Sequence, residues 1–165
     1  VCWQMAMENT ETPTALIFSR QGIAKLPAGN DYEMARKGAY IVAGSDENPD
    51  VILVASGSEV STLEAGTEAL RKDGIKVRVV SAPSEGLFRR QSAEYQESVL
   101  PANVKKFGMT AGLPVTLEGL VGIGPNSRIY GMKSFGFSAP YKVLDEKLGY
   151  TGENVYKQVK DFLKK

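Results

Sequence analysis

Residues 51–72, VILVASGSEVSTLEAGTEALRK, decide the fold of this chain. The first five residues are apolar and mostly β-branched, which predicts a buried strand, and a turn of small polar residues follows. From residue 58 onward, apolar positions recur at helical spacing. One face of this predicted helix consists of Val60, Leu63, Thr67 and Leu70. Gly74 then ends the helix at the position where glycine is preferred. A strand joined by a short turn to a helix is the repeating unit of an α/β sheet.

The turn between this strand and this helix has two interpretations. Ser56 and Glu59 are spaced as a capping box, S-x-x-E, which closes the first turn of a helix. The same turn precedes a helix N-terminus, where free N–H groups and the helix dipole favour an anion, so Ser58 is a candidate anion site. Because Glu59 would repel an anion and capping explains every residue, we prefer capping.

The pattern of strand followed by helix continues on both sides of this unit. Strands are predicted at residues 39–43, 51–55, 75–80, 104–109 and 128–132. Helices are predicted at residues 58–72, within 85–100, at 113–121, at 138–148 and from 151. The turn-rich residues 44–50 predict a hairpin, which makes the first strand antiparallel. The fold class is therefore α/β, a three-layer α/β/α sandwich with a mainly parallel five-stranded sheet and one antiparallel edge strand.

Two segments near the end of the chain are expected to add to the core. Ser138 is predicted to cap the helix that follows it, and that helix has a predicted buried stripe of Tyr141, Leu144 and Leu148. Just before it, residues 135–138 (FGFS) predict a tight turn that packs two phenylalanines against the sheet.

The first 37 residues differ from the rest. Residues 1–8 have the pattern of a helix, and the apolar run in residues 13–21, PTALIFSRQ, predicts a buried strand that ends by presenting Arg20. We interpret residues 1–21 as a helix-strand tail of an upstream domain, 22–37 as a linker, and 38–165 as a complete domain. A guanidinium at a strand end suits a phosphate, although a structural ion pair is the favoured role for a single arginine judged by position alone.

Composition excludes several classes of function. The chain has 165 residues, with 20 basic and 19 acidic side chains and a net charge of +1, so it has no basic field for nucleic acid or an anionic membrane. Cys2 is the single cysteine, which excludes an internal disulfide and favours a cytoplasmic setting. The chain has no histidine, so by itself it cannot form a Ser-His-Asp triad, a Cys-His dyad or a histidine-ligated metal site.

Four stretches together resemble transketolase. They are PTALIFSRQ (residues 13–21), ASGSEV (55–60), VRVVSAPS (77–84) with YQESVLP (95–101), and FGFSAP (135–140). The resemblance covers nearly the whole chain and implies the C-terminal third of that enzyme. Deoxyxylulose phosphate synthase and the β subunits of 2-oxo acid dehydrogenases share this domain, but the Ser-Arg-Gln and Phe-Gly-x-Ser-Ala-Pro stretches favour transketolase.

The resemblance implies a function for the parent enzyme. Transketolase transfers a two-carbon ketol unit from a ketose phosphate to an aldose phosphate in the pentose phosphate pathway, as a homodimer with thiamine diphosphate and magnesium. The residues that bind the cofactor and handle protons lie in the upstream domains, so this chain is expected to be inactive alone, without catalytic, cofactor-binding or metal-binding residues, and to support structure and dimerisation. Arg20 aligns with the family arginine that grips the sugar phosphate. The competing hypothesis is a stand-alone α/β domain that binds a small anion or a partner protein.

Overall fold

The computed structural model describes residues 1–26, 31–44 and 48–164. The strands are β1 (Tyr40–Ala43), β2 (Val51–Ala55), β3 (Val77–Ser81), β4 (Lys105–Met109) and β5 (Ser127–Tyr130). The α-helices are α1 (Cys2–Glu8), α2 (Glu59–Lys72), α3 (Glu85–Arg89), α4 (Ala93–Val99), α5 (Glu118–Val121), α6 (Tyr141–Leu148) and α7 (Gly152–Leu163). Two short 3-10 helices cover Tyr32–Lys37 and Pro114–Leu117.

The five strands form one mixed sheet in the order β1-β3-β2-β4-β5. β1 runs antiparallel to β3 at one edge, and the other pairs are parallel, which confirms the predicted fold class. The predicted hairpin between β1 and β2 is wrong, because Tyr40 pairs with Ser81 of β3. Both sides of β2 are already taken by β3 and β4, so β1 can join the sheet only at its edge. Residues 45–47 of the predicted hairpin turn lie outside the described residues.

Successive side chains of β2 point to opposite faces of the sheet, and the core therefore has two layers. Leu53 belongs to the apolar cluster under α2 and α7, whereas Ile52 and Val54 belong to the cluster on the other face, under α3, α4 and α5. All five residues of β2 are buried, as a strand covered on both faces requires. Each such aliphatic side chain stabilises the fold by about 1.5–3 kcal/mol through burial.

Helices α2 and α7 pack closely because small residues lie at their contact. A Cβ atom added to Gly66 of α2 would lie 2.7 Å from Cγ1 of Val155 in α7. At the other end of the contact, Asp73 accepts hydrogen bonds from Tyr156 Oη at 2.8 Å and from Lys160 Nζ at 2.7 Å. The predicted apolar face of α2 is buried in full. The last helix begins close to residue 151 as predicted, and Thr151 caps it, since its side chain accepts a hydrogen bond from the backbone N–H of Asn154.

The start of α2 differs from the predicted capping box. The N-cap is Ser58 instead of Ser56, and no side chain caps the helix. Ser58 Oγ donates a hydrogen bond to the carboxylate of Glu59 at 3.0 Å and does not accept one from the first backbone N–H groups of the helix. The helix ends as predicted, with Gly74 at a φ of 78° just after the C-cap.

The first segment of the chain contains a helix but no strand within its described residues. The predicted strand in residues 13–21 is wrong in this structure, and Ile17 and Phe18 are 94% and 65% exposed. A strand needs a hydrogen-bonding partner, and the five described strands pair only with one another. Arg36 fastens α1 to the rest through its ion pair with Glu8 at 3.1 Å. The predicted linker contains a 3-10 helix at Tyr32–Lys37, and its residues 27–30 lie outside the described residues.

Among the described residues, no helix has both the length and the apolar character to cross a bilayer.

Candidate functional site

Described residues border an open groove of about 1020 Å³ at the carboxyl edge of the sheet. Three of its walls are formed by residues that follow parallel strands: 56–59 after β2, 110–113 after β4, and 132 and 134–137 after β5. Residues 17–19, Gln21, Tyr150 and one face of helix α6 complete it. In open α/β sheets, ligands gather at this edge, so the groove is the candidate functional site.

Hydrogen bonds hold the strand ends that form the floor of the groove. The backbone N–H of Met132 donates to the carbonyl of Gly112 at 2.9 Å, which extends the pairing beyond β4 and β5. Tyr150 Oη donates to the carbonyl of Thr110 at 2.9 Å. Burial, with smaller effects from Tyr130 and Glu59, raises the pKa of Tyr150 to about 12. The phenol therefore stays protonated at neutral pH and keeps donating to this carbonyl.

The charged side chains that line the groove are two carboxylates. Burial is the largest cause of the raised pKa of Glu59, and the negative charge of Asp145 adds to it, while the Ser58 hydroxyl opposes it. Burial also raises the pKa of Asp145. Within the described parts of the chain, no lysine or arginine lines this cavity. The charged groups that line the groove are therefore acidic, and the exposed Arg20 lies between two residues that line it.

The residues of the apolar wall of the groove are more exposed than predicted. Phe135 and Phe137 were expected to pack against the sheet, but they are 97% and 65% exposed. The predicted stripe on α6 is wrong as well, because Tyr141 is exposed and the leucines of the stripe are only half-buried where they face the groove. Ser138 does not cap α6, whose N-cap is Pro140 without a side-chain hydrogen bond. The physical reason is shared: α6 borders an open cavity, so its apolar face has no layer above it.

Arg20 lies in an exposed position beside the groove. Its neighbours Ser19 and Gln21 both line the cavity, and Ser19 Oγ would be 3.5 Å from a Cβ atom added to Gly57. No carboxylate of the described residues forms an ion pair with Arg20. Its guanidinium is thus accessible to a ligand from outside the chain.

The residues of the groove do not fit thiamine diphosphate with magnesium. Two carboxylates would repel a diphosphate, and among the described residues no three histidine, cysteine or acidic side chains gather as metal ligands. The anion site at Ser58 stays a prediction, and the carboxylate that its hydroxyl contacts disfavours an anion there. We assign no catalytic step to this cofactor within this chain.

Sequence reasoning missed that Glu59 and Asp145 line the same groove. Glu59 was interpreted as a capping residue, and the sequence pattern gave no reason to place Asp145 beside it. A negative side chain at the start of a helix is common, so nothing local distinguishes Glu59 from an ordinary first-turn acid. Only the return of α6 to the same edge of the sheet brings the two carboxylates together.

Comparison with known proteins agrees with this architecture. The sequence model of the family described as "Transketolase-like TK C-terminal domain" matches residues 38–151. The chain belongs to this family. Transketolase 1 of Vibrio cholerae is 44% identical over 165 residues, which are 99% of this chain and 24% of the relative, and the transketolase of Staphylococcus aureus strain MW2 is 41% identical over 96% of this chain and 24% of the relative. The solved transketolase of Leishmania mexicana superposes with a TM-score of 0.87 at 35% identity, over 99% of this chain and 23% of that one.

The chain spans about a quarter of the length of these transketolases. Membership of the C-terminal domain family accounts for the mixed five-stranded sheet with helices on both faces.

Proposed function

We propose that this chain is the C-terminal part of a transketolase, in which residues 1–21 end the pyrimidine-binding domain, 22–37 link the domains, and 38–165 form the C-terminal domain. The parent enzyme transfers a two-carbon ketol unit from a ketose phosphate to an aldose phosphate in the pentose phosphate pathway of the cytoplasm, as a homodimer. The match of the family model to residues 38–151 carries the proposal. The identity of 44% to a Vibrio cholerae transketolase across 99% of the chain supports it.

In this proposal, other parts of the enzyme supply the reactive machinery. Thiamine diphosphate and magnesium provide the group that cleaves and forms carbon–carbon bonds when they are bound. The groove of this chain offers carboxylates and apolar side chains, which do not suit the diphosphate. The chain alone therefore contributes structure, support for the dimer and one substrate contact.

That substrate contact is Arg20, which we assign to the phosphate of the sugar. The guanidinium is exposed beside the groove and forms no ion pair with any described carboxylate, so it is available to bind a phosphate. Binding a phosphate far from the reacting carbonyl positions that carbonyl for reaction. A Pichia stipitis transketolase of similar fold was solved in complex with sedoheptulose-7-phosphate, a sugar phosphate of the class that we assign to Arg20.

The proposed function is tested with a hybrid in which this chain replaces the matching residues of Vibrio cholerae Transketolase 1. We expect the hybrid, with thiamine diphosphate and magnesium, to transfer ketol units and the isolated chain to show no transfer under the same conditions. A folded, dimeric hybrid without activity would contradict the assignment to transketolase. Measurable transfer by the isolated chain would contradict the proposal that other parts of the enzyme supply the catalytic groups.

Substitution of Arg20 in the hybrid tests the phosphate contact. Because a hydrogen bond to a charged group contributes about 1.5–3 kcal/mol, we expect Arg20→Ala to lower kcat/KM for an aldose phosphate about 10- to 100-fold, mainly through KM. The same aldose without its phosphate should react within about twofold of the unsubstituted hybrid, since it never used this contact. Arg90→Ala removes another exposed arginine and serves as the control. Equal losses for both sugars would show that Arg20 does not bind the phosphate.

A further inference from the structure

Arg20 lies between two residues of the groove lining without belonging to the lining itself. Ser19 and Gln21 are half-buried and line the groove, whereas Arg20 is exposed and does not. Planar trans peptide bonds hold consecutive Cα atoms about 3.8 Å apart, so a shift of either neighbour is passed on to Arg20. The positions of Ser19 and Gln21 therefore restrict where the guanidinium of Arg20 can lie.

Gly57, in the turn between β2 and α2, is the residue that Ser19 lies against. A Cβ atom added to Gly57 would be 3.5 Å from Ser19 Oγ, and apart from its chain neighbours it would have no other described heavy atom within 4 Å. This distance is an ordinary van der Waals contact, so a methyl group would fit. A longer side chain has further atoms to place beside Ser19 Oγ. The missing side chain of Gly57 therefore provides the space that Ser19 occupies.

The turn that carries Gly57 is fixed on both sides. β2, which precedes it, is buried along its whole length, and the carbonyl of its last residue, Ala55, accepts a hydrogen bond from the N–H of Ala82 at 2.8 Å. On the other side, the carbonyl of Gly57 accepts a hydrogen bond from the N–H of Val60, in the first turn of α2, at 3.3 Å. Ser19 belongs to no described strand or helix. When the two residues crowd each other, we therefore expect Ser19 to move and Gly57 to stay.

We propose that Gly57 is a positioning residue for Arg20. Its lack of a side chain lets Ser19 lie against the turn between β2 and α2, and this contact sets where the Arg20 guanidinium meets the phosphate of the sugar. The inference rests on the proposed function, because it takes that phosphate as the ligand of Arg20. It goes further by assigning control of the phosphate contact to a residue that does not itself touch the substrate.

Substitution of Gly57 with asparagine in the hybrid enzyme tests this role. Gly57 has a φ of 63°, and asparagine is among the residues that tolerate a positive φ, so the turn can keep its conformation while the added side chain crowds Ser19. Because a misplacement of about 1 Å can cost about 100-fold in rate, we expect KM for an aldose phosphate to rise about tenfold and kcat to stay within about twofold. The same aldose without its phosphate should keep its kcat/KM within about twofold.

Gly74→Asn is the matched control for the conformational cost. Gly74 has a similar φ of 78° just after the other end of α2, and a Cβ atom added to it has no described atom within 4 Å. Both sugars should therefore react with the Gly74→Asn hybrid within about twofold of the unsubstituted one. A tenfold rise in KM for the aldose phosphate in this control would show that the positive φ, and not the contact with Ser19, causes the effect.

Two changes at Ser19 test whether the effect passes through this residue. Ser19→Ala removes the oxygen next to Gly57, and in the Gly57→Asn hybrid it should return KM for the aldose phosphate to within about threefold of the original value. Ser19→Val enlarges the same contact at a residue whose φ is not positive, so it should raise KM for the aldose phosphate even if Gly57→Asn fails to fold. No rescue by Ser19→Ala, or no effect of Ser19→Val, would overturn the proposal.

The outcomes separate this proposal from the proposed function. An active hybrid in which Gly57→Asn affects neither sugar, or both equally, leaves the function standing and overturns the positioning role. In the Arg20→Ala hybrid, Gly57→Asn should cause no further loss, because the contact that it disturbs is already gone, and an additional tenfold loss there would overturn the role as well.

A measurement on the isolated chain makes the test independent of activity. In nuclear magnetic resonance spectra, Gly57→Asn should shift the backbone amide signals of residues 19–21, whereas Gly74→Asn should leave them unchanged. Unshifted signals in the Gly57→Asn chain would overturn the proposal even if the hybrid were inactive.

Discussion

Replacing Phe107 with alanine is expected to lower the free energy of unfolding of this chain by about 3–5 kcal/mol. Phe107 lies in the middle of β4 and is 0% exposed, in the cluster that α2 and α7 cover. It pairs with Leu53 on one side and Arg128 on the other, so neighbouring strands prevent the backbone from closing the cavity. Equilibrium unfolding in urea, monitored by circular dichroism, measures the change.

The control for this prediction is Phe135→Ala. It deletes the same side chain at a position that is 97% exposed, and we expect it to change the free energy of unfolding by no more than about 0.5 kcal/mol. A domain has a total stability of only about 5–15 kcal/mol, so Phe107→Ala can prevent folding altogether. Phe107→Leu, which keeps most of the volume, then provides a measurable loss of about 1–2 kcal/mol. Similar losses at positions 107 and 135 would contradict the assigned core.

The second large effect is expected at Gly38, immediately before the residue that leads into β1. Gly38 has a φ of 81°, a conformation that costs other residues about 1–2 kcal/mol. A Cβ atom there would also overlap the backbone nitrogen of Phe88 and the backbone oxygen of Ser84. The carbonyl of Gly38 already accepts a hydrogen bond from the Ser84 N–H at 2.9 Å, which fixes the approach of the two segments. We expect Gly38→Ala to lower the free energy of unfolding by about 3–5 kcal/mol, since the overlap adds to the strain.

Gly74→Ala separates these two causes. Gly74 has a φ of 78°, nearly the same as Gly38, but a Cβ atom added to it has no described atom within 4 Å. Only the conformational cost applies there, so we expect a loss of about 1 kcal/mol in the same urea experiment. If both alanine variants lose the same stability, the overlap at Gly38 contributes nothing.

The regular part of the fold was predictable because its patterns are local. β2 is a continuous apolar run, α2 has its buried residues at helical spacing, and both form as predicted. β4 gave a weaker signal because it begins with Lys105 and Lys106, although it lies inside the sheet. The structure explains the exception: Lys106 is buried, but its Nζ atom donates to the carbonyls of Pro101 and Val104 at 2.6 and 3.2 Å. Long basic side chains can bury their stems in this way.

The groove was not predictable, because the burial of its residues depends on whether another part of the folded protein covers them, which their own sequence does not specify. Apolar residues recur at helical spacing in both α6 and α7, but they are buried in α7 whereas α6 borders the open groove. The apolar character of residues 14–18 likewise predicts a strand, but none of the described strands pairs with this segment. Arg20 could be singled out from its neighbours in sequence, whereas the pairing of Glu59 with Asp145 depends on tertiary structure alone.

The order of strands in the sheet has a consequence for synthesis on the ribosome. β1 leaves the ribosome first of the five strands, but its partner is β3, so it must wait while the intervening β2 and α2 are made. Helix α2 covers Phe107 and Leu53 together with α7, and α7 is the last of the described elements. One side of the nascent sheet therefore stays only partly covered until translation of residues 152–163, and its exposed apolar surface can bind chaperones during that interval.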